Sequence, residues 1–135
     1  MTKAIPPIRK YMTTTPFTVN AEVSIKEASK LMQDKDIRHL PVLSGENLVG
    51  ILSERDVTLV ESLNGVDLNL LKVEDAMTRG PYRTDPDSLV SEVAAEMAEK
   101  KYGAAIVVQH NKVVGIFTMV DACRVLAEVF DTRLK

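Results

Sequence analysis

The sequence has one cysteine and two histidines in 135 residues. A single thiol, Cys123, excludes an internal disulfide and suits a reducing compartment. His39 and His110 lie far apart, and with one cysteine they are too few donors for a metal centre. No apolar run approaches the ~20 residues that a membrane-spanning helix needs. Met1-Thr2-Lys3-Ala4-Ile5-Pro6-Pro7 lacks the apolar stretch of a secretory signal, so a cytoplasmic location is expected. Neither sign of charge dominates, and the formal net charge of −2 excludes a general affinity for nucleic acid or anionic membrane. No Gly-x-Ser-x-Gly elbow or phosphate loop is present, and no base stands beside a nucleophile. The chain is not expected to be an enzyme.

What the chain does have is a repeat. A shift of 65 positions aligns residues 8–60 with 73–125 without a gap. Met12-Thr13 falls on Met77-Thr78, Pro16 on Pro81, Met32 on Met97, Val49-Gly50-Ile51 on Val114-Gly115-Ile116, and Asp56 on Asp121. A register this long marks a duplication.

Each copy reads strand–helix–strand–strand–helix. In the first, a short extended segment (Pro16–Val19) precedes a helix capped by Ser24, with Glu27 completing a capping box. Strands follow at about His39–Leu43 and Leu48–Leu52. A second helix begins at Ser53, carries Val57, Val60 and Leu63, and is stopped by Asn64-Gly65. In the second copy the extended segment is Pro81–Thr84, and Ser88 is the expected cap of a helix bearing Leu89, Val93 and Met97. Strands are expected at Ala104–Gln109 and Lys112–Thr118, then a helix with Ala122, Val125, Leu126 and Val129. The dense Val, Ile and Leu content predicts buried strands. Met32 and Met97 read as core, and Cys123 as a small, at least half-buried hydrophobe. One copy of roughly 55–60 residues is marginal alone. Two copies packed sheet to sheet in an α/β (α+β) body are expected. The domains would be a first repeat at 1–65, a packed linker at 66–72, a second repeat at 73–130, and a polar tail at 131–135.

The stretch Gly50-Ile51-Leu52-Ser53-Glu54-Arg55-Asp56 recurs as Gly115-Ile116-Phe117-Thr118-Met119-Val120-Asp121. Each places a hydroxyl residue and, three positions later, an aspartate at a helix start. Two readings fit. The pair can be a helix cap, its side chains satisfying backbone donors. It can also be a ligand site, because a carboxylate accepts two hydrogen bonds from a vicinal diol and a helix start suits phosphate. The copies differ in charge. The first has Arg55, Arg38 and His39 where the second has Val120, Gly103 and Ala104. A phosphorylated ligand therefore favours the first. For Arg38 and Arg55 the plain alternative is solvated surface charge.

Two such units, each opening on Met-Thr…Pro and closing on Gly-hydrophobic-hydrophobic-Ser/Thr-x-x-Asp, resemble a tandem pair of CBS (cystathionine β-synthase) domains. The segment Ile37-Arg38-His39-Leu40-Pro41-Val42-Leu43 also resembles the family's approach to its third strand. The resemblance implies pseudo-two-fold symmetry and binding of adenosine-containing ligands (AMP, ADP, ATP, S-adenosylmethionine or NAD) in clefts between the repeats. Asp56 and Asp121 would hold ribose. Ser53 and Thr118 would face phosphate, with Arg55, Arg38 and His39 at the first site and Arg83 and Lys101 from the other copy. Phe17-Thr18 and Tyr82-Arg83 would border adenine, and Ile37–His39 and Tyr102–Ala104, including Gly103, would line the clefts. The resemblance further implies a homodimer acting as an energy sensor on a separate regulated protein. A ligand-independent dimerisation or adaptor module is the competing expectation.

Overall fold

A computed structural model describes residues 4–133, which divide into two compact units. One comprises residues 16–81, the other residues up to 15 together with 82 onwards. These units are a different division of the chain from the sequence repeats, and two very short strands make the difference.

In the unit formed by residues 16–81, the strands are β2 (Val19–Asn20), β3 (His39–Ser44), β4 (Asn47–Ser53) and β5 (Thr78–Arg79), in that spatial order. β2 runs parallel to β3, and the other pairs are antiparallel. In the other unit, β1 (Thr13–Thr14), β8 (Lys112–Thr118), β7 (Ala104–Gln109) and β6 (Arg83–Thr84) form the corresponding sheet, in that order. Each copy's opening Met-Thr segment thus adds the edge strand to the sheet built by the other copy. A short helical turn goes with it. Ile8 and Val73, at equivalent positions, are each fully buried in the core of the unit that their strand joins.

The glycine of each closing motif receives that strand. A Cβ on Gly50 would lie 2.6 Å from Met77 Sδ and 2.8 Å from the Thr78 carbonyl oxygen. A Cβ on Gly115 would collide with the Met12 side chain. The Met-Thr and Gly motifs are therefore two sides of one close contact.

The first helix, α1 (Ile25–Lys35), is capped by Ser24, whose Oγ accepts from the Glu27 N–H at 3.1 Å; the expected return bond from the Glu27 side chain is not made among the described residues. Its inner face is Ile25, Ala28 and Met32. Its counterpart α3 (Val90–Lys100) buries Val90, Val93 and Met97. Ser88 is not its cap. The N-cap is Leu89, the register partner of Ser24, which has no side-chain acceptor. The Val90 N–H donates to the Pro6 carbonyl instead, and the Ser88 hydroxyl accepts from Thr84. Both helices end on a left-handed residue, Asp36 and Lys101.

The long hairpins match the expected strands to within a residue, and both carry a bulge at the same repeat position, after Val42 and after Val107. The expected segment Pro81–Thr84 contracts to Arg83–Thr84, and Pro16–Val19 is replaced by Val19–Asn20, which starts at its last residue. After β4 comes α2 (Glu54–Glu61), which ends before Asn64-Gly65 and leaves Leu63 outside the helix and exposed. After β8 comes α4 (Met119–Arg133), which includes Asp131–Arg133 of the expected tail; residues 134–135 lie outside the described ones. Cys123 is exposed on α4 rather than buried, because Asp121, Ala122 and Val125 take the inward positions. The segment 66–72 contributes Leu68 and Leu71 to the core of the 16–81 unit, while Leu70 points outward.

Candidate functional site

In the 16–81 unit, sheet topology brings most of the candidate residues to one end. β3 begins at His39 and β4 ends at Ser53, and these two residues are register partners. α2 starts immediately after, and its first N–H, from Glu54, donates to the Arg38 carbonyl at 2.9 Å. Phe17 and Thr18 lead into β2, which lies parallel beside β3. Ile37, Arg38, His39, Ser53, Arg55 and Asp56 therefore share one sheet end, with Phe17-Thr18 just before the adjoining strand.

The capping reading is realised in full. Asp56 Oδ2 accepts from the Ser53 N–H at 2.8 Å, and Ser53 Oγ accepts from the Asp56 N–H at 3.1 Å. This does not exhaust the carboxylate. Among the described residues, Asp56 Oδ1 receives no hydrogen bond, and a carboxylate offers about four lone-pair sites. Arg55 is exposed on the first turn of α2. Arg38 Nε lies 4.0 Å from Glu54 Oε2, both side chains largely in solvent, where such a pair holds weakly. Burial holds the His39 imidazole below its ordinary pKa; the nearby Asp56 carboxylate opposes this, Arg38 adds to it, and Glu54 opposes it. His39 is therefore neutral near pH 7, with both a donor and an acceptor nitrogen.

The other unit repeats the geometry with different chemistry. Ala104 pairs with Thr118, and the Met119 N–H donates to the Gly103 carbonyl at 3.2 Å. Asp121 is only 7% exposed. Its Oδ2 accepts from the Thr118 N–H at 2.8 Å and from the Thr118 hydroxyl at 3.1 Å. Its Oδ1 accepts from Arg124 Nη1 at 3.4 Å. Tyr82 and Tyr102 stack with ring centroids 5.1 Å apart. They are the repeat equivalents of Phe17 and Ile37. Burial, and then Glu96, push the Tyr82 phenol up from its usual pKa. Arg83 and Lys101 are both exposed.

Three contacts at these sites have only weak sequence signals. Lys35 sits over the half-exposed Phe17 ring at 5.2 Å. Glu54 faces Arg38. Arg124 reaches Asp121 through the i, i+3 spacing of a helix, the one signal that could have found it. A separate open cavity of about 610 Å³ in the 16–81 unit, lined partly by Lys26, Lys30, Glu61 and Asp67, contains none of the candidate residues.

The CBS domain family model matches this chain twice, over residues 8–61 and 73–128. The chain belongs to the CBS domain family. An inosine-5'-monophosphate dehydrogenase of Korarchaeum cryptofilum is 34% identical over 134 residues, covering 98% of this chain and 27% of the enzyme. The protein YlbB of Bacillus subtilis is 34% identical over 103 residues, covering 73% of this chain and 67% of that protein. Among solved structures, the CBS domain pair of protein MJ0100, in complex with 5'-methylthioadenosine and S-adenosyl-L-methionine, superimposes with a TM-score of 0.84 at 28% identity, covering 93% of this chain and 98% of that one. A CBS pair is thus a ligand-binding module in a relative of the same fold. The chain spans about a quarter of the length of the dehydrogenase that it matches. No helix among the described residues is long and apolar enough to cross a membrane.

Proposed function

We propose that this CBS pair is a regulatory module that binds adenosine-containing nucleotides of the AMP, ADP and ATP class, and that its occupancy is read by a partner protein rather than by chemistry of its own. The observation that carries the reading is the assembly at the start of α2. A carboxylate with an unused oxygen, Asp56, stands beside a helix N-terminus, a neutral His39 and two exposed arginines, Arg38 and Arg55. A ribose diol fits the carboxylate, and phosphate fits the helix start and the guanidinium groups. In this reading Asp56, Ser53, Arg55, Arg38 and His39 form the phosphate-competent site. Tyr82, Tyr102, Gly103, Thr118 and Asp121 form a less cationic one. Binding alters the output only so far as it favours one conformation over another.

S-adenosylmethionine is the second reading, favoured by the ligands held in the MJ0100 pair. A thermal-shift series with AMP, ATP, S-adenosylmethionine and NAD separates the two. Ligand at ~100 times its dissociation constant stabilises by about 2.7 kcal/mol. A flat response to every adenosyl compound refutes both and leaves the adaptor reading.

A homodimer is part of the proposal. α4 exposes Met119, Val120, Leu126, Val129 and Phe130, whereas the register partners of the first three on or beside α2 are Glu54, Arg55 and Glu61. An apolar face more extensive on α4 than on α2, where only Leu59 is a large exposed hydrophobic, is not demanded by the fold, and pairing with a second copy would bury it. Leu126→Glu should shift the mass measured by light scattering from dimer to monomer; a wild-type monomer at high concentration counts against it. The exposed thiol of Cys123 fits a reducing compartment, and the cytoplasm is the location we propose.

A further inference from the structure

The two aspartates of the repeated motif differ in what already occupies them. Both give Oδ2 to the backbone at the helix start. Only Asp121 has its second oxygen engaged, by Arg124. The register partner of Arg124 is Leu59, which is 64% exposed and has no donor to offer Asp56. The arginines and the polar histidine beside the helix start are distributed in the opposite sense. The first site carries Arg38, His39 and Arg55, and at the equivalent positions the second carries Gly103, Ala104 and Val120.

The guanidinium of Arg124 is largely in solvent while the carboxylate it meets is almost wholly buried. A ligand hydroxyl donating to Oδ1 competes with Arg124 for that oxygen. A vicinal diol that takes Oδ1 in place of the guanidinium leaves the arginine near the same helix start, beside the bound ligand. A neutral nucleoside breaks the pair and returns nothing to the arginine. A nucleoside carrying a carboxylate or phosphate returns an anion, in the forked geometry that arginine favours.

We propose that Arg124 is a specificity-determining residue of the second site, excluding neutral nucleosides and admitting anionic ones by exchanging its partner from Asp121 to the ligand. The inference rests on the reading of Asp121 as a ribose-binding group. It makes the second site selective by substitution of one ion pair for another, whereas the first site presents its cations unpaired with its aspartate.

The test uses the full chain with the first site silenced by Asp56→Ala, and compares it with Asp56→Ala/Arg124→Leu, which installs the residue of the first copy. Adenosine and AMP are titrated by calorimetry. Asp56→Ala should prefer AMP over adenosine. In the double variant adenosine should tighten by about three- to five-fold, the range of a partly exposed pair, and AMP should weaken, so that the preference collapses. Raising NaCl from about 0.05 M to about 0.5 M should tighten adenosine binding to Asp56→Ala by screening the pair, and this effect should vanish with Arg124 gone. A variant that merely disturbed the helix would weaken both ligands together. Adenosine binding that is unchanged or weaker in the double variant overturns the inference. Binding by the wild type but by neither variant overturns it too, while leaving the first site intact. Failure of the wild type to bind either compound overturns the site reading itself.

Discussion

Replacing Asp56 by asparagine separates the two things its carboxylate can do. As a cap it accepts one backbone hydrogen bond, from the Ser53 N–H at 2.8 Å. Asp56 is the N3 member of the box, and an asparagine carbonyl can accept that bond as Gln replaces Glu at N3 of a capping box. The change removes only the favourable charge in the first turn, worth about 0.3–1 kcal/mol. Asp56→Ala leaves the half-buried Ser53 N–H without its acceptor, although the reciprocal bond from the Asp56 N–H to Ser53 Oγ survives. The loss of that one hydrogen bond costs about 1 kcal/mol, or roughly 3–6 °C in melting temperature for a chain of this size. Stability should therefore fall in the order wild type, Asn, Ala.

Binding should follow a different order. Asparagine presents one acceptor and one donor where a diol needs two acceptors, and it has lost the charge. One charge-assisted hydrogen bond contributes about 1.5–3 kcal/mol, which is on the order of ten- to 150-fold in affinity. AMP titrated by calorimetry into Asp56→Asn, with Asp121→Asn silencing the second site, should therefore bind at least ten-fold more weakly than in Asp121→Asn alone. The protein should meanwhile remain close to it in stability. If Asp56→Asn binds AMP within about three-fold of its reference, the carboxylate is a cap and nothing more.

His39 should make stability depend on pH. Its folded pKa lies below its unfolded value because burial disfavours the imidazolium. The unfolded chain then holds more protons, so the stability that His39 contributes is complete above about pH 6.5 and is lost as pH falls through the folded pKa. Urea midpoints from pH 8 to 5 should fall more steeply for the wild type than for His39→Gln, and parallel curves would refute the burial argument. Gly50→Ala and Gly115→Ala should both destabilise, by about 1–3 kcal/mol. Met12→Ala should rescue Gly115→Ala in a double-mutant cycle, whereas Met77→Ala should only partly rescue Gly50→Ala, because the Thr78 carbonyl remains in the way; equal rescue contradicts this. A fragment of residues 16–81 holds one complete sheet and core, and residues 1–65 hold neither β5 nor Val73. The first should unfold cooperatively in urea and the second should not, and the reverse result would show that the repeat is the folding unit.

Local signals were enough for the elements that carry their own pattern. The two long hairpins, α1 with its Ser24 cap, and the Ser53 and Asp56 pair could be read because each depends on residues within a few positions of one another. Ser88 misled because a hydroxyl one place early looks like a cap, while the true N-cap is Leu89 and the Val90 N–H is satisfied by the Pro6 carbonyl, more than eighty residues away in sequence. Cys123 misled because helix periodicity says which positions share a face, but not which face turns inward. The strands β1 and β5 are two residues long and have no pattern to detect. They exist only through pairing with a partner far along the chain.

That pairing explains why the repeat is more informative than either copy. Gly50 is bare so that Met77 and Thr78 can approach it, and Met77 belongs to the other copy's opening motif. Gly115 and Met12 are in the same relation. A Gly in one copy and a Met-Thr in the other therefore form one constraint, and neither copy completes its own sheet. The candidate ligand residues sit at the far end of those same strands, where β4 passes into α2 and β8 into α4. That end makes no demand on the exchanged segment, so side chains there can diverge without cost to the fold. Arg38, His39 and Arg55 in one copy stand against Gly103, Ala104 and Val120 in the other, and Leu59 against Arg124: the copies share an architecture and differ in charge where the candidate site lies.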